Sequence, residues 1–156
     1  MLNKIKKDNK GFTIIEVLIV LAIAGLIMLV VFLAVPALQR SSRNTQREAD
    51  ATKVTAAMTA CISNRNGVVA SCASSTDLTN NGGLDTAKLQ QLTTVSNVAV
   101  ASMNTTADAN TINFSFGAKC NADAGSAIAS TNARQGAVVY RLETTGATPT
   151  YKCIDV

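Results

Sequence analysis

The chain has 156 residues, of which 47% are apolar and 15% charged, with a formal net charge of +4 and no histidine. This length allows one modest folded domain, and the apolar content can build a core without making the whole chain a membrane protein. The absence of histidine removes the commonest acid–base group, and no phosphate-binding loop or paired catalytic carboxylates are recognisable, so the sequence predicts neither an enzyme nor a cofactor.

The positive charge is concentrated at the N-terminus. Four lysines before Gly11, opposed by Asp8, supply +3 of the net charge and leave +1 from Phe12 onward. A basic cluster beside a long apolar run stays on the cytoplasmic side of a membrane, so the rest of the chain is expected outside. Because that remainder is nearly neutral, a nucleic-acid partner is disfavoured.

Residues 12–38 form a long apolar segment in which Glu16 is the only charged side chain. As a helix, these 27 residues are long enough to cross about 30 Å of hydrocarbon. An ordinary secretory signal has a shorter apolar region followed by a small-residue cleavage site. The segment therefore predicts a single transmembrane helix in the cytoplasmic membrane.

Residues 39–66 are predicted to continue this helix as an amphipathic segment that ends near Asn64-Arg-Asn-Gly67, where Asn and Gly favour termination. Small residues recur at steps of three and four, which predicts the face on which a globular head packs. The charged residues are predicted to lie mostly elsewhere on the surface: Arg40, Arg43, Arg47, Glu48, Asp50 and Lys53. This small-residue stripe consists of Leu38, Ser42, Thr45, Ala49, Thr52, Ala56, Thr59 and Ile62.

Residues 67–156 are predicted to form the head. Its first part, 67–110, is interpreted as a connecting loop region with a short helix over Leu84–Leu92. Its second part, 111–156, holds three strand signals, at 111–116, 137–142 and 149–154, with a turn between the last two. The predicted fold is α+β, a long N-terminal helix with a small antiparallel sheet packed on its second half.

Four cysteines in the exported part predict two disulfide bonds, because thiols oxidise outside the cytosol. The cysteines lack a C-x-x-C spacing and have no histidine to assist, so neither a metal site nor a redox-active pair is expected. Three pairings are possible for Cys61, Cys72, Cys120 and Cys153.

The string Lys10-Gly-Phe-Thr-Ile-Ile-Glu16, followed at once by the apolar run, resembles the processing site of type IV prepilins and pseudopilins. The resemblance implies that prepilin peptidase, a membrane aspartyl peptidase, cuts between Gly11 and Phe12 and methylates the new amino group of Phe12. Residues 1–11 are then a cleaved leader. The same resemblance implies a late disulfide between Cys120 and Cys153, which leaves Cys61 to pair with Cys72.

Glu16 is the most unusual residue of the apolar segment, because a carboxylate at that depth costs a few kcal/mol unless it finds a partner or water. The resemblance implies that Glu16 pairs with the amino terminus of a neighbouring subunit and sets the axial register of assembly. Reaching the membrane surface near the first turn of the helix is the alternative. Gly25 and Pro36 both loosen helix hydrogen bonding and predict flexible points, or else a close helix contact and a simple kink.

These expectations define a structural subunit of a type IV pilus, polymerised into an extracellular filament by an inner-membrane platform and an assembly ATPase, for adhesion, motility or DNA uptake. A pseudopilin of a type II secretion or competence system shares the same signature. A displayed adhesin or DNA-binding module needs an exposed patch, for which the candidates are Lys119, Arg134, Arg141 and Lys152. An uncleaved membrane-anchored ligand-binding domain is the last alternative.

Overall fold

The structure, a computed structural model, describes residues 11–121 and 125–156, so most of the predicted leader lies outside the described residues. The chain divides into two compact units, here called the N-terminal unit (residues 1–39) and the C-terminal unit (residues 40–156). The described α-helices are α1 (Ile14–Asn64) and α2 (Ser75–Gly82), and short 3-10 helices lie at Val69–Cys72, Thr86–Lys88 and Val100–Ser102. The described strands are β1 (Thr94–Asn97), β2 (Thr111–Phe116), β3 (Ala118–Cys120), β4 (Ala127–Ala129), β5 (Gly136–Leu142) and β6 (Thr150–Asp155).

Helix α1 ends where the sequence predicted. The amide of Gly67 donates to the carbonyl of Ile62 at 2.8 Å, and Asn66 and Gly67 have φ angles of 52° and 82°. These left-handed residues close off the last turn by satisfying one of its free carbonyls. An added β-carbon at Gly67 would lie 2.8 Å from Nη2 of Arg134, so a side chain there would displace that guanidinium, while the φ of 82° favours glycine.

The main sheet has four strands in the order β1-β2-β5-β6. The antiparallel pairing of β2, β5 and β6 is confirmed, with Phe114 opposite Val138 and Val138 opposite Ile154. Strand β1, which lies inside the predicted loop region, pairs parallel to β2 through Val95 and Ile112. The sheet is therefore mixed, and the chain has the predicted α+β fold of a long helix followed by a small sheet.

The core of the C-terminal unit forms where this sheet packs on one face of α1. Val54, Met58 and Cys61 of the helix are fully buried against Phe114 and Tyr140 of the sheet. Burial of these large apolar groups is the main favourable contribution to the packing.

The prediction of which helix face holds the head is wrong. The middle of the small-residue stripe is exposed, including Ser42, Thr45, Ala49, Thr52, Ala56 and Thr59. The sheet covers the neighbouring face instead, because Val54 and Met58 offer more apolar area than alanine or threonine. Arg47 and Asp50, predicted on the surface, are 6% and 1% exposed. The Asp50 carboxylate and Nη1 of Arg47 find partners within the C-terminal unit, whereas Nε of Arg47 has none among the described residues.

Of the short helix predicted over Leu84–Leu92, only the 3-10 helix Thr86–Lys88 is present. Helix α2 lies earlier, and it begins with a capping box in which the Ser74 hydroxyl accepts from the Asp77 amide while the Asp77 carboxylate accepts from the Ser74 amide. It ends at Gly83, which has a φ of 69°. The leucines at 84, 89 and 92 are instead buried one by one along an irregular segment.

A second, two-stranded sheet of β3 and β4 was not predicted. Its Ala118 and Ala127 pack with Val139 against the face of the main sheet that is turned away from α1. Strand β2 is consequently buried on both faces, and its Asn113 donates to the carbonyl of Met103 at 2.8 Å. The alternating pattern of β2 therefore does not mark an exposed face.

Candidate processing and assembly site

Gly11 and Phe12 precede the first residue of α1 and are both exposed, with Phe12 89% exposed. A β-carbon added at Gly11 would meet no atom within 4 Å. Both residues of the predicted cleavage bond are therefore exposed in the described part of the chain.

Glu16 forms a capping box with Thr13 at the start of α1. Its carboxylate accepts from the backbone amide of Thr13 at 2.9 Å and from the Thr13 hydroxyl at 2.7 Å, and the Glu16 amide donates back to that hydroxyl at 3.3 Å. These contacts satisfy backbone donors that a helix start leaves free. The T-x-x-E spacing is the sequence signal for this arrangement, and the sequence reading above missed it.

The rest of the N-terminal unit exposes apolar side chains all around α1. Representative exposed fractions are 63% for Leu21, 65% for Leu26 and 75% for Phe32. Among the described residues, α1 is the one helix long and apolar enough to cross a membrane. An open apolar cleft of about 490 Å³ also lies beside Glu16 and is bordered by Phe12 and Val20. Such a surface needs lipid or other apolar helices as its surroundings.

Comparison with known families places a recognised signal on this segment. The family model described as the prokaryotic N-terminal methylation motif matches residues 6–32. The chain carries the type IV pilin and pseudopilin signal. No curated protein and no solved structure matches the chain significantly. The signal and the apolar helix together fit membrane anchoring before assembly, and the signal implies processing by prepilin peptidase and filament assembly in general.

Gly25 and Pro36, the two predicted flexible points, lie inside α1, and the helix continues through both. A β-carbon at Gly25 would meet no atom within 4 Å. Bending at either residue stays a prediction.

Both disulfide bonds that the resemblance to pilins implies are present. Cys61 is bonded to Cys72 and Cys120 to Cys153, and the described residues contain no free cysteine. The first bond is fully buried and fixes the end of α1 to the following 3-10 helix. The second fixes β3 to β6, so each sheet is tied to the other.

Asp50 fastens the segment before β1 to helix α1. Its Oδ2 accepts from three consecutive backbone amides, those of Gln90, Gln91 and Leu92, at 2.8 to 3.2 Å, while Lys53 Nζ lies 3.1 Å from Oδ1. Burial acts to raise the pKa of Asp50, but these donors outweigh it and hold the pKa below its ordinary value. The carboxylate thus stays charged and fully satisfied inside the C-terminal unit.

A second polar cluster fastens the end of β5 to the first turns of α1 within the C-terminal unit. Arg43 donates two hydrogen bonds of 2.6 Å to the Glu143 carboxylate, and Asn44 exchanges bonds with the Glu143 backbone at 2.8 and 2.9 Å. Arg47 donates to the carbonyls of Ala109 and Arg141. The Arg43 hydrogen bond lowers the pKa of Glu143 and raises the pKa of Arg43.

The four cations considered for a DNA-binding patch lie on several elements of the C-terminal unit. Lys152 pairs with Glu48 at 3.2 Å, and Arg134 lies against Gly67. Lys119 is on β3, and Arg141 is beside Arg47 on the main sheet. A DNA-binding role stays an untested alternative.

Proposed function

We propose that this chain is a structural subunit of a type IV pilus. It is cleaved after Gly11, methylated at Phe12, held in the cytoplasmic membrane by residues 12–38, and polymerised through that segment into an extracellular filament. The observation that supports this most directly is the methylation signal on a helix whose apolar side chains are exposed on all sides. We assign the subunit no catalytic activity; force and energy for assembly come from the inner-membrane platform and its ATPase.

In this proposal Glu16 exchanges one partner for another. Before assembly its carboxylate is satisfied by Thr13 of the same chain. Cleavage creates a positive amino group on Phe12, and in a bundle of subunits that group on one chain lies within reach of Glu16 on another. A charged hydrogen bond in apolar surroundings is strong, so it fixes the axial register at which helices pack.

The first test is the intact mass and N-terminal peptide of the protein isolated from its native cell envelope. The expected product begins at Phe12 and carries one added methyl group. A chain beginning at Met1, or beyond Leu38, contradicts the proposal, because the first retains the leader and the second has lost the filament-forming segment.

The second test separates processing from assembly with Glu16→Ala and the matched control Glu48→Ala, which removes an exposed carboxylate from the C-terminal unit. Glu16→Ala is expected to be cleaved after Gly11 but to yield few sheared filaments by electron microscopy. The control is expected to assemble normally. Normal filament yield from Glu16→Ala contradicts the register role.

A pseudopilin is the second candidate, since the methylation motif is common to both classes. The two differ in filament length. Long surface filaments that contain this chain at native expression support the pilus subunit, whereas surface filaments absent at native levels, with loss of protein secretion or of DNA uptake on deletion, support the pseudopilin.

A further inference from the structure

The net positive charge of the C-terminal unit is concentrated around its first helical turns, residues 40–47, which follow the apolar run in the sequence. This unit has ten Lys and Arg residues and eight Asp and Glu residues, a net charge of +2. Four arginines and one acid around the first turns of α1 in this unit carry a net charge of +3, and the remaining six cations and seven acids sum to −1. We call this set the basic collar: Arg40, Arg43, Arg47, Arg141 and Glu143.

Two guanidinium groups of the basic collar are free to bind an anion from outside the chain. Arg43 is occupied by Glu143, and Arg47 is buried with its bonds going to backbone carbonyls. The side chains of Arg40 and Arg141 are partly exposed and form no hydrogen bond with any other described residue. Each guanidinium can still donate two parallel hydrogen bonds to a phosphate group.

The position of Arg40 in the chain matches the level of lipid phosphates. Residues 12–38 span about 40 Å as a helix, which equals the hydrocarbon thickness plus most of the headgroup layers. Arg40 follows directly. We propose that the basic collar binds the phosphate of an anionic phospholipid on the outward leaflet, through Arg40 and Arg141, while the subunit waits in the membrane. This inference rests on the membrane insertion proposed above.

Among the described acids of the C-terminal unit, only Asp108 is exposed and without a side-chain hydrogen bond, so a second copy offers one free carboxylate for two arginines. Glu48 pairs with Lys152 at 3.2 Å. Asp50 is buried and bonded, Asp77 caps α2, and Asp85 pairs with Lys88 at 3.3 Å. Asp155 accepts from the Cys120 amide at 2.5 Å. A layer of phosphates is therefore the better complement to unpaired arginines beside a membrane-spanning segment.

The test uses the full chain in nanodiscs of equimolar phosphatidylcholine and phosphatidylglycerol, and native mass spectrometry counts the lipids that stay bound on release. Lipid enrichment in the native chain is compared with that of the double variant Arg40→Gln/Arg141→Gln. The matched control is Lys88→Gln/Lys119→Gln, which removes two charges outside the basic collar. The difference between proteins is the readout, because the leader lysines are the same in all three.

The double variant is expected to lose phosphatidylglycerol enrichment by about fivefold for each arginine removed, while the control keeps it. Equal enrichment in native and double-variant chains overturns the proposal, as does an equal loss in the control. Two other results also overturn it: full displacement of the lipid by millimolar inorganic phosphate, which indicates a free-anion site, and double-variant-sensitive dimers without lipid enrichment, which indicate a second copy.

Two side measurements separate the possible failures. Tyrosine fluorescence of the double variant checks that the C-terminal unit remains folded, since both tyrosines, Tyr140 and Tyr151, lie in that unit. If the variant is unfolded, Arg40→Lys/Arg141→Lys keeps the charge but removes the bidentate donors, and it must still lower the enrichment. Resistance to alkaline extraction tests insertion itself, and a chain that fails to insert overturns both this inference and the proposed function.

Discussion

The two halves of α1 share one backbone but have opposite surroundings. In the N-terminal unit the side chains of Val20 and Leu21 are each 63% exposed. Apolar side chains on every other face of the helix are exposed as well. In the C-terminal unit Val54 and Met58 are fully buried under the sheet. A valine of this helix is therefore buried in a core in the C-terminal unit, or part of an exposed apolar surface in the N-terminal unit.

This difference shows where stability originates and where function originates. The C-terminal unit is complete, with a core, two disulfide bonds, a satisfied buried charge at Asp50 and a half-exposed ion pair between Arg43 and Glu143. The N-terminal unit has no tertiary core among its described residues, so its apolar surface is stabilised only by lipid or by other copies. Substitutions in the two halves should therefore affect different measurements.

The largest effect is expected from removing the disulfide between β3 and β6. Cys120→Ser/Cys153→Ser opens a loop closed over a sequence separation of 33 residues. The expected loss is about 4 kcal/mol in the free energy of unfolding, because the unfolded chain regains its freedom. Urea unfolding followed by tyrosine fluorescence measures it, and a loss below about 1 kcal/mol would show that the two sheets hold together without the bond.

Next in size is Asp50→Ala, which leaves three backbone amides and Lys53 without their acceptor inside the C-terminal unit. Breaking a buried charged network costs about 3 kcal/mol. Asp50→Asn keeps an acceptor oxygen and should lose less. Glu48→Ala removes an exposed partner of Lys152 and should change the unfolding free energy by less than about 0.5 kcal/mol. An equal loss in the last variant would contradict the role given to Asp50.

A smaller effect is expected from Val→Ala, made once in each half of α1. Val54→Ala opens a cavity in the core and should lower the unfolding free energy by about 2 kcal/mol. Val20→Ala, on the same helix, should leave the tyrosine-detected unfolding unchanged. A similar loss from both variants would mean that the stability of the C-terminal unit depends on side chains outside its own core.

The sequence predicted the long helix, its end and the three antiparallel strands because those features depend on local signals. The apolar run needs no partner to be recognised, and Asn66-Gly67 closes the helix through backbone conformation alone. The edges of β2, β5 and β6 follow from turn residues and β-branched side chains. These are interactions between near neighbours in the chain.

The errors lie where distant residues decide the outcome. The small-residue stripe is a regular helical pattern, yet the sheet covers Val54 and Met58, and only the position of β2 and β5 determines that choice. Asp50 was placed on the surface because its three amide donors lie 40 to 42 residues away in the sequence. The parallel strand β1 and the β3–β4 hairpin also depend on partners that no local pattern identifies.

The smallest and most specific prediction is a pH dependence confined to the C-terminal unit. The pKa values of Asp50 and Glu143 are lowered on folding by their hydrogen-bond donors. A lowered folded pKa means that the unfolded chain binds protons more readily, so stability from these groups is complete above the unfolded pKa values, near 4, and is lost as the pH falls through the folded ones. Urea unfolding at pH 7, 4 and 3 should show this decline.

Asp50→Asn should show a flatter profile than the native chain, since it removes one of the two titrating groups while keeping an acceptor. An unchanged profile in Asp50→Asn would assign the acid sensitivity to Glu143 and its pair with Arg43, and would move the pH-sensitive contact from the segment before β1 to the end of β5.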